Sequence, residues 1–457
     1  MSKTINLTEG NIFGSLVKLA LPIIATSFVQ MAYNLTDMIW VGRVGSDAVA
    51  AVGTAGFFTW LAMAFIMIPK IGAEVGVAQA LGRQDKQGIK RSVQHSLQLI
   101  VVLALAYAAV LIILRQPLIG FYKLGAKIEG EAITYLIVVS LGMVFYTINP
   151  VFTGIFNGAG DSKTPFRINA IGLLLNIILD PVLILGLGPF PRLEVAGAAI
   201  ATVIAQTAVT LIFMREAGKR PELFSGLHLL QKPERKYLQG LLKMGFPVAL
   251  QSAFFTIVAM IVARIIAQWG PLPIAVQKVG SQIESISWMT AGGFQAAMSA
   301  FVGQNHGAGK WDRVYKGYFV GLGIVAVLGI FATVLLIFAA RPIFSIFIPE
   351  EETIRCGVTY LKILGLSQFW MTVEIITAGA FIGRGRTFPP SIVGIVFNGL
   401  RIPGALWLSS TFLGLEGVWW AITISSILKG LVLSVWHFWF LKTDSATKDL
   451  KLREVSG

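Results

Sequence analysis

Long apolar runs separated by short polar links fill the chain. They fall at about 14–40, 47–81, 93–114, 132–157, 165–188, 195–214, 241–268, 273–304, 317–340, 356–382, 389–412 and 416–441. Each is long enough for a membrane-crossing helix, so the pattern predicts twelve of them. Several exceed about 20 residues and contain Pro or Gly, such as Pro69 and Gly72, so tilts and kinks are expected.

Composition agrees with the pattern. The 457 residues are 55% hydrophobic and 13% charged, with mean hydropathy +0.74. Soluble domains carry roughly 25% charged residues. Cys356 is the single cysteine, which leaves no intrachain disulfide and no thiolate metal cluster. The net charge of +14 would suit nucleic acid if it were clustered on a soluble surface. Instead the basic residues lie in the links. With a cytoplasmic N-terminus that side holds 24 Lys and Arg, against seven on the other: Arg43, Arg115, Lys123, Lys127, Arg192, Arg341 and Arg355. This asymmetry predicts a multi-pass protein of a cell membrane with both termini cytoplasmic. The basic links then meet lipid headgroups, not nucleic acid.

The chain is duplicated. At an offset of 225 residues Pro22 in KLALP matches Pro247 in KMGFP, Gly45 matches Gly270, Gln79 matches Gln304, and Gly82 matches Gly307. Gly158, Gly160 and Pro165 in GAGDSKTP match Gly383, Gly385 and Pro390 in GRGRTFPP. The organisation expected is a six-helix lobe at 1–214, a cytoplasmic linker at 215–240, a second six-helix lobe at 241–441 and a cytoplasmic tail at 442–457. An even repeat returns the chain to its starting side, so the lobes have parallel topology, and two such lobes around a central cleft suit a transporter.

The acids within the first lobe are not duplicated. Asp37 corresponds to Val262 and Asp180 to Ala405. A carboxylate at membrane depth costs about 2.5–3.5 kcal/mol on insertion scales, so both require an explanation. Tyr33 precedes Asp37 by one helical turn, as Asn176 precedes Asp180, and Thr202 enters helix 6 at comparable depth. Two carboxylates brought together can pass a proton from one side to the other. With Asn176 the same oxygens could instead hold Na⁺. Pro22 lacks a backbone donor and predicts a kink or hinge in helix 1. In the second lobe Lys278, Glu284, Lys362, Glu374 and Arg401 are expected to pair with one another. Met31, Asn149, Met260, Met289 and Glu374 are candidates for lining a substrate cleft, where methionine suits varied apolar ligands.

Other chemistry lacks its motifs. His95, His228, His306 and His437 form no HExxH, and there is no GxxxxGK[ST] loop for ATP. No enzyme activity and no cofactor are expected, so the energy comes from an ion gradient or a partner, with transport down a gradient also open.

Together KLALP, NLTDMIWVGRVG, GAGDSKTP and NIILDPVLILG resemble the MATE family of multidrug and toxic compound extrusion antiporters, most closely its DinF-like branch. The resemblance implies an all-α membrane fold of twelve helices in two lobes around a cleft. It implies alternating-access exchange of amphipathic, often cationic drugs and dyes for H⁺, or for Na⁺. It further implies that Tyr33, Asp37, Asn176, Asp180 and Thr202 form the ion-coupling cluster, with Pro22 where helix 1 bends. The NorM-like branch carries an acid in helix 7, where this chain has Arg264 and none. A bacterial monomer is expected. Two rivals stay open: a lipid-linked-precursor flippase using Arg264, Lys278 and Arg401, and a major-facilitator carrier suggested by GRQDKQGIKR.

Overall fold

The structure, a computed structural model, describes residues 6–456, with side chains through Thr443. The first five residues of the expected first lobe, Gly457 and the side chains of the expected tail from 444 lie outside the described residues. All regular structure among the described residues is helical. In order the helices are α1 Ile12–Gly42, α2 Ser46–Gly82, α3 Lys86–Ile113, α4 Arg115–Gly120, α5 Ala126–Leu141, α6 Met143–Gly158, α7 Lys163–Leu185, α8 Glu194–Gly218 and α9 Pro221–Phe224. They continue as α10 Arg235–Ile266, α11 Pro271–Gly307, α12 Trp311–Phe338, α13 Ala340–Ser345, α14 Glu351–Gly365, α15 Gln368–Gly383, α16 Phe388–Gly399, α17 Arg401–Ser409 and α18 Leu415–Ser456.

Nine helical spans are long and apolar enough to cross a membrane, and two bent pairs bring the number to 11 among the described residues. The remaining long helix is α11, whose Lys278 and Glu284 lower its apolarity. The runs expected at 132–157 and 356–382 are each broken: α5 and α6 meet at 52°, and α14 and α15 at 46°. The breaks fall at Gly142 and at Leu366–Ser367. Hydrophobic periodicity does not register such a bend because both sides of it stay apolar.

The helices group into two compact units. One is built from Lys18–Ala249 with Gly307–Gly309, the other from Thr8–Val17, Leu250–His306 and the chain from Lys310 onward. Element starts repeat at the sequence offset of 225: Ser46 and Pro271, Lys86 and Trp311, Arg115 and Ala340, Ala126 and Glu351, Met143 and Gln368, Lys163 and Phe388. The duplicated glycines have two separate reasons. Gly160 and Gly385 adopt φ of 83° and 74°, the left-handed region that favours glycine. Gly158 and Gly383 lie against backbone, so that a Cβ would stand 2.3 Å from the Glu74 carbonyl oxygen and 2.4 Å from that of Ser299.

Within the first unit the core includes a stacked Phe152–Phe213 pair, centroids 5.4 Å apart, with Phe156 and Phe224 against it. Asp85 caps α3 by accepting from the Gly88 N–H at 2.8 Å. In the second unit Trp419 is buried edge-on against Tyr360.

Candidate functional site

Helices α1, α7 and α8 bring the five predicted coupling residues together inside the first unit. Asn176 and Asp180, one turn apart on α7, are fully buried. Asn176 Nδ2 donates to Asp180 Oδ1 at 2.9 Å. Asp37, on α1, faces both of them. Tyr33, one turn earlier, faces Thr202 of α8. One oxygen each of Tyr33, Asp37, Asn176, Asp180 and Thr202 is buried without a hydrogen-bond partner. Tyr33 and Thr202 bring hydroxyls that donate as well as accept, while Asp37, Asp180 and Asn176 bring acceptor oxygens, a set that can exchange a proton or hold a cation.

A small cavity of about 20 Å³ adjoins Tyr33, lined also by Thr26, Gln30, Asn169 and Gln206. It is roomy enough for about one water. Tyr135 of α5 and Tyr146 of α6 lie within electrostatic range of Asp37. Neither tyrosine is marked by sequence, because an aromatic residue in an apolar span is ordinarily core. Glu74 of α2 is, with Asp161 and Asp180, one of three buried acids of this unit among the described residues. It escapes notice in the sequence because it lies near the end of a long run.

Pro22 sits within α1, which continues as one helix on both sides of it. Its ring leaves the Lys18 carbonyl without the usual helical donor. The Thr26 hydroxyl donates to the Pro22 carbonyl at 2.8 Å. Helix α1 passes from one compact unit to the other between Val17 and Lys18.

The candidate cleft residues divide between the units. Met31 and Asn149 belong to the first. The Asn149 amide donates to Gln206 Oε1 at 2.8 Å and to the Gln206 carbonyl at 3.0 Å, while its oxygen accepts from Thr210 Oγ1 at 2.8 Å. Met260, Met289 and Glu374 belong to the second, where Met260 is 58% exposed and Met289 half-buried. Glu374 is buried in an ion pair with Lys429 Nζ at 3.1 Å. Arg401 donates from Nε to Ser425 Oγ at 2.7 Å and from Nη2 to Ser426 Oγ at 3.0 Å. Helix α10 carries Arg264 and no acid. Among the described residues no three His, Cys, Asp or Glu side chains gather as a metal site.

A family model described as MatE matches residues 22–182 and again 247–407, two segments separated by the internal offset of 225. The chain is 29% identical over 411 residues to the probable multidrug resistance protein NorM of Thermotoga maritima, covering 88% of this chain and 87% of that one. It is 28% identical to the probable multidrug resistance protein YoeA of Bacillus subtilis, covering 90% of each. Its fold matches a crystal structure of MATE in the bent conformation with a TM-score of 0.90, at 23% identity over 97% of this chain and 99% of that one.

Proposed function

Because the chain belongs to the MatE family, we propose that it is a secondary active multidrug efflux transporter, exchanging amphipathic, often cationic drugs for H⁺ through Asp37 and Asp180. The observation that carries this reading is the buried cluster itself. Two carboxylates meet across α1 and α7, and Asn176 donates to Asp180 beside them. Burying two like charges side by side is expensive, and one shared proton removes the expense. Proton uptake therefore favours the conformation in which the pair is closed. Proton loss favours one in which water or a cationic drug compensates the charge. Such a pair biases alternating access only as far as its proton affinity differs between the two conformations.

Pro22 is assigned the hinge because, within α1, its ring leaves the Lys18 carbonyl without the usual helical donor. The lobes span the cytoplasmic membrane of a bacterium with both termini inside. The DinF-like branch fits because α10 offers no acid for a second-lobe cation site. A Na⁺-coupled reading draws on the orphaned oxygens of Asp37, Asp180 and Asn176, which are hard ligands. The flippase reading has less to use, since Arg401 is engaged by two serines.

Dye efflux from proteoliposomes under an imposed pH or Na⁺ gradient separates these readings. The parent should respond to ΔpH, and Asp37→Asn and Asp180→Asn should each lose at least about tenfold of that response, more than about 1.4 kcal/mol of coupling. Full ΔpH-driven efflux in both variants would exclude the pair as the coupling site, and a response to Na⁺ alone would make Na⁺ the ion.

A further inference from the structure

We infer that a pocket formed by the end of α12, the short α13 and one face of α14 binds the phosphate headgroup of an anionic membrane phospholipid. The cavity measures about 390 Å³, and its lining combines apolar Ile337, Phe338 and Val358 with basic Arg341, Arg355 and Lys362. That volume falls among ligand-sized clefts, roughly 300–1,000 Å³. Arg355, Val358 and Lys362 occupy positions i, i+3 and i+7 of α14 and so share one face.

Charge decides what the pocket accepts. No acid among the described residues lines it; Glu351 accepts from two of the lining residues, Arg341 at 2.9 Å and Arg355 Nε at 3.3 Å. Its sequence neighbours Glu350 and Glu352 are not among the lining residues. Each guanidinium has five donors, so one shared carboxylate leaves most of them for a second acceptor. Lys362 forms no ion pair among the described residues and lies in the last turn of α14, about 10 Å along the axis from Arg355. An unpaired lysine at that depth needs its ammonium brought toward the headgroup level. A phosphodiester, with oxygens matched to guanidinium forks, would draw all three cations together.

The apolar lining identifies the source of the phosphate. Phe338 is 83% exposed and Ile346, just past α13, is 78% exposed. Surfaces of this kind beside a membrane helix meet acyl chains. A phospholipid can lay its chain on Ile337 and Phe338 while its headgroup meets the basic residues, whereas a free anion gains nothing from the apolar lining. Each basic residue near an anionic headgroup contributes about 1 kcal/mol, or about fivefold in affinity.

The test is native mass spectrometry of the full-length protein in detergent mixed with phosphatidylglycerol and phosphatidylcholine. The parent should retain a phosphatidylglycerol molecule in preference, and Lys362→Gln and Arg355→Gln should each lower that preference about fivefold. Arg341→Gln, at the exposed rim, supplies the same readout should a variant in α14 fail to fold, and Lys362→Arg should keep the preference. An equal lipid preference in the parent and in the folded glutamine variants would overturn the assignment. So would thermal stabilisation by inorganic phosphate alone equal to that by phosphatidylglycerol.

Discussion

Gly158 of α6 lies directly against the main-chain carbonyl of Glu74 in α2, and Gly383 stands in the same relationship to Ser299. Both pairs are related by the offset of 225, so the motif glycines mark a close helix crossing built twice. A methyl group at either position would need backbone to move. Gly158→Ala and Gly383→Ala should therefore each destabilise by about 1–3 kcal/mol. Gly53→Ala and Gly292→Ala, where nothing lies within 4 Å of the added carbon, should leave thermal unfolding unchanged or raise it slightly. Fluorescence-detected thermal scans of the four variants check this.

Glu374 and Lys429 are buried partners. Removing one side of such a pair strands the other charge, at a cost of about 3–5 kcal/mol. Glu374→Gln and Lys429→Met alone should each lower the unfolding temperature strongly, and the double variant should recover much of the loss. If Glu374 instead serves chiefly to bind cationic drug, Glu374→Gln will weaken drug binding with stability intact and the double variant will recover nothing.

The segment between the repeats is tied to α3. Gln98 Nε2 donates to the carbonyls of Leu229 and Gln231 at 2.9 and 2.8 Å. The Glu234 N–H donates to His95 Nε2 at 3.0 Å, while His95 Nδ1 lies 2.7 Å from the Arg91 carbonyl. Each lost bond is worth about 1 kcal/mol, so Gln98→Ala and His95→Phe should each raise tryptic cleavage at Arg235, next to the tethered Glu234, at least about fivefold.

Pro22→Ala supplies α1 with the donor that the Lys18 carbonyl lacks. A hinge there predicts slower ΔpH-driven efflux with unchanged or raised thermal stability. Efflux at the parent rate would make Pro22 a fixed kink.

How much of this could be read in the sequence depends on the kind of signal. Twelve apolar runs and one offset suffice for an all-helical duplicated membrane fold, because burial in lipid demands long apolar stretches and duplication leaves its glycines and prolines in register. The same logic brings Asp37 and Asp180 forward, since a carboxylate stands out in an apolar span. It fails where the informative residue resembles its surroundings. Tyr135 and Tyr146 look like core, and Gly142 interrupts nothing in the hydrophobic pattern although a 52° bend occurs there. Partners distant in sequence were also hidden: the expectation that charges in the second lobe pair with one another omitted Lys429, the residue that Glu374 meets.

The central claim is that Asp37 and Asp180 hold an exchangeable proton that drug competes for. Its most direct test is proton release on drug addition to the purified protein in weakly buffered solution. A cationic drug should liberate protons from the parent, and Asp180→Asn, still folded and still binding drug, should liberate almost none. Equal proton release from parent and variant would contradict it.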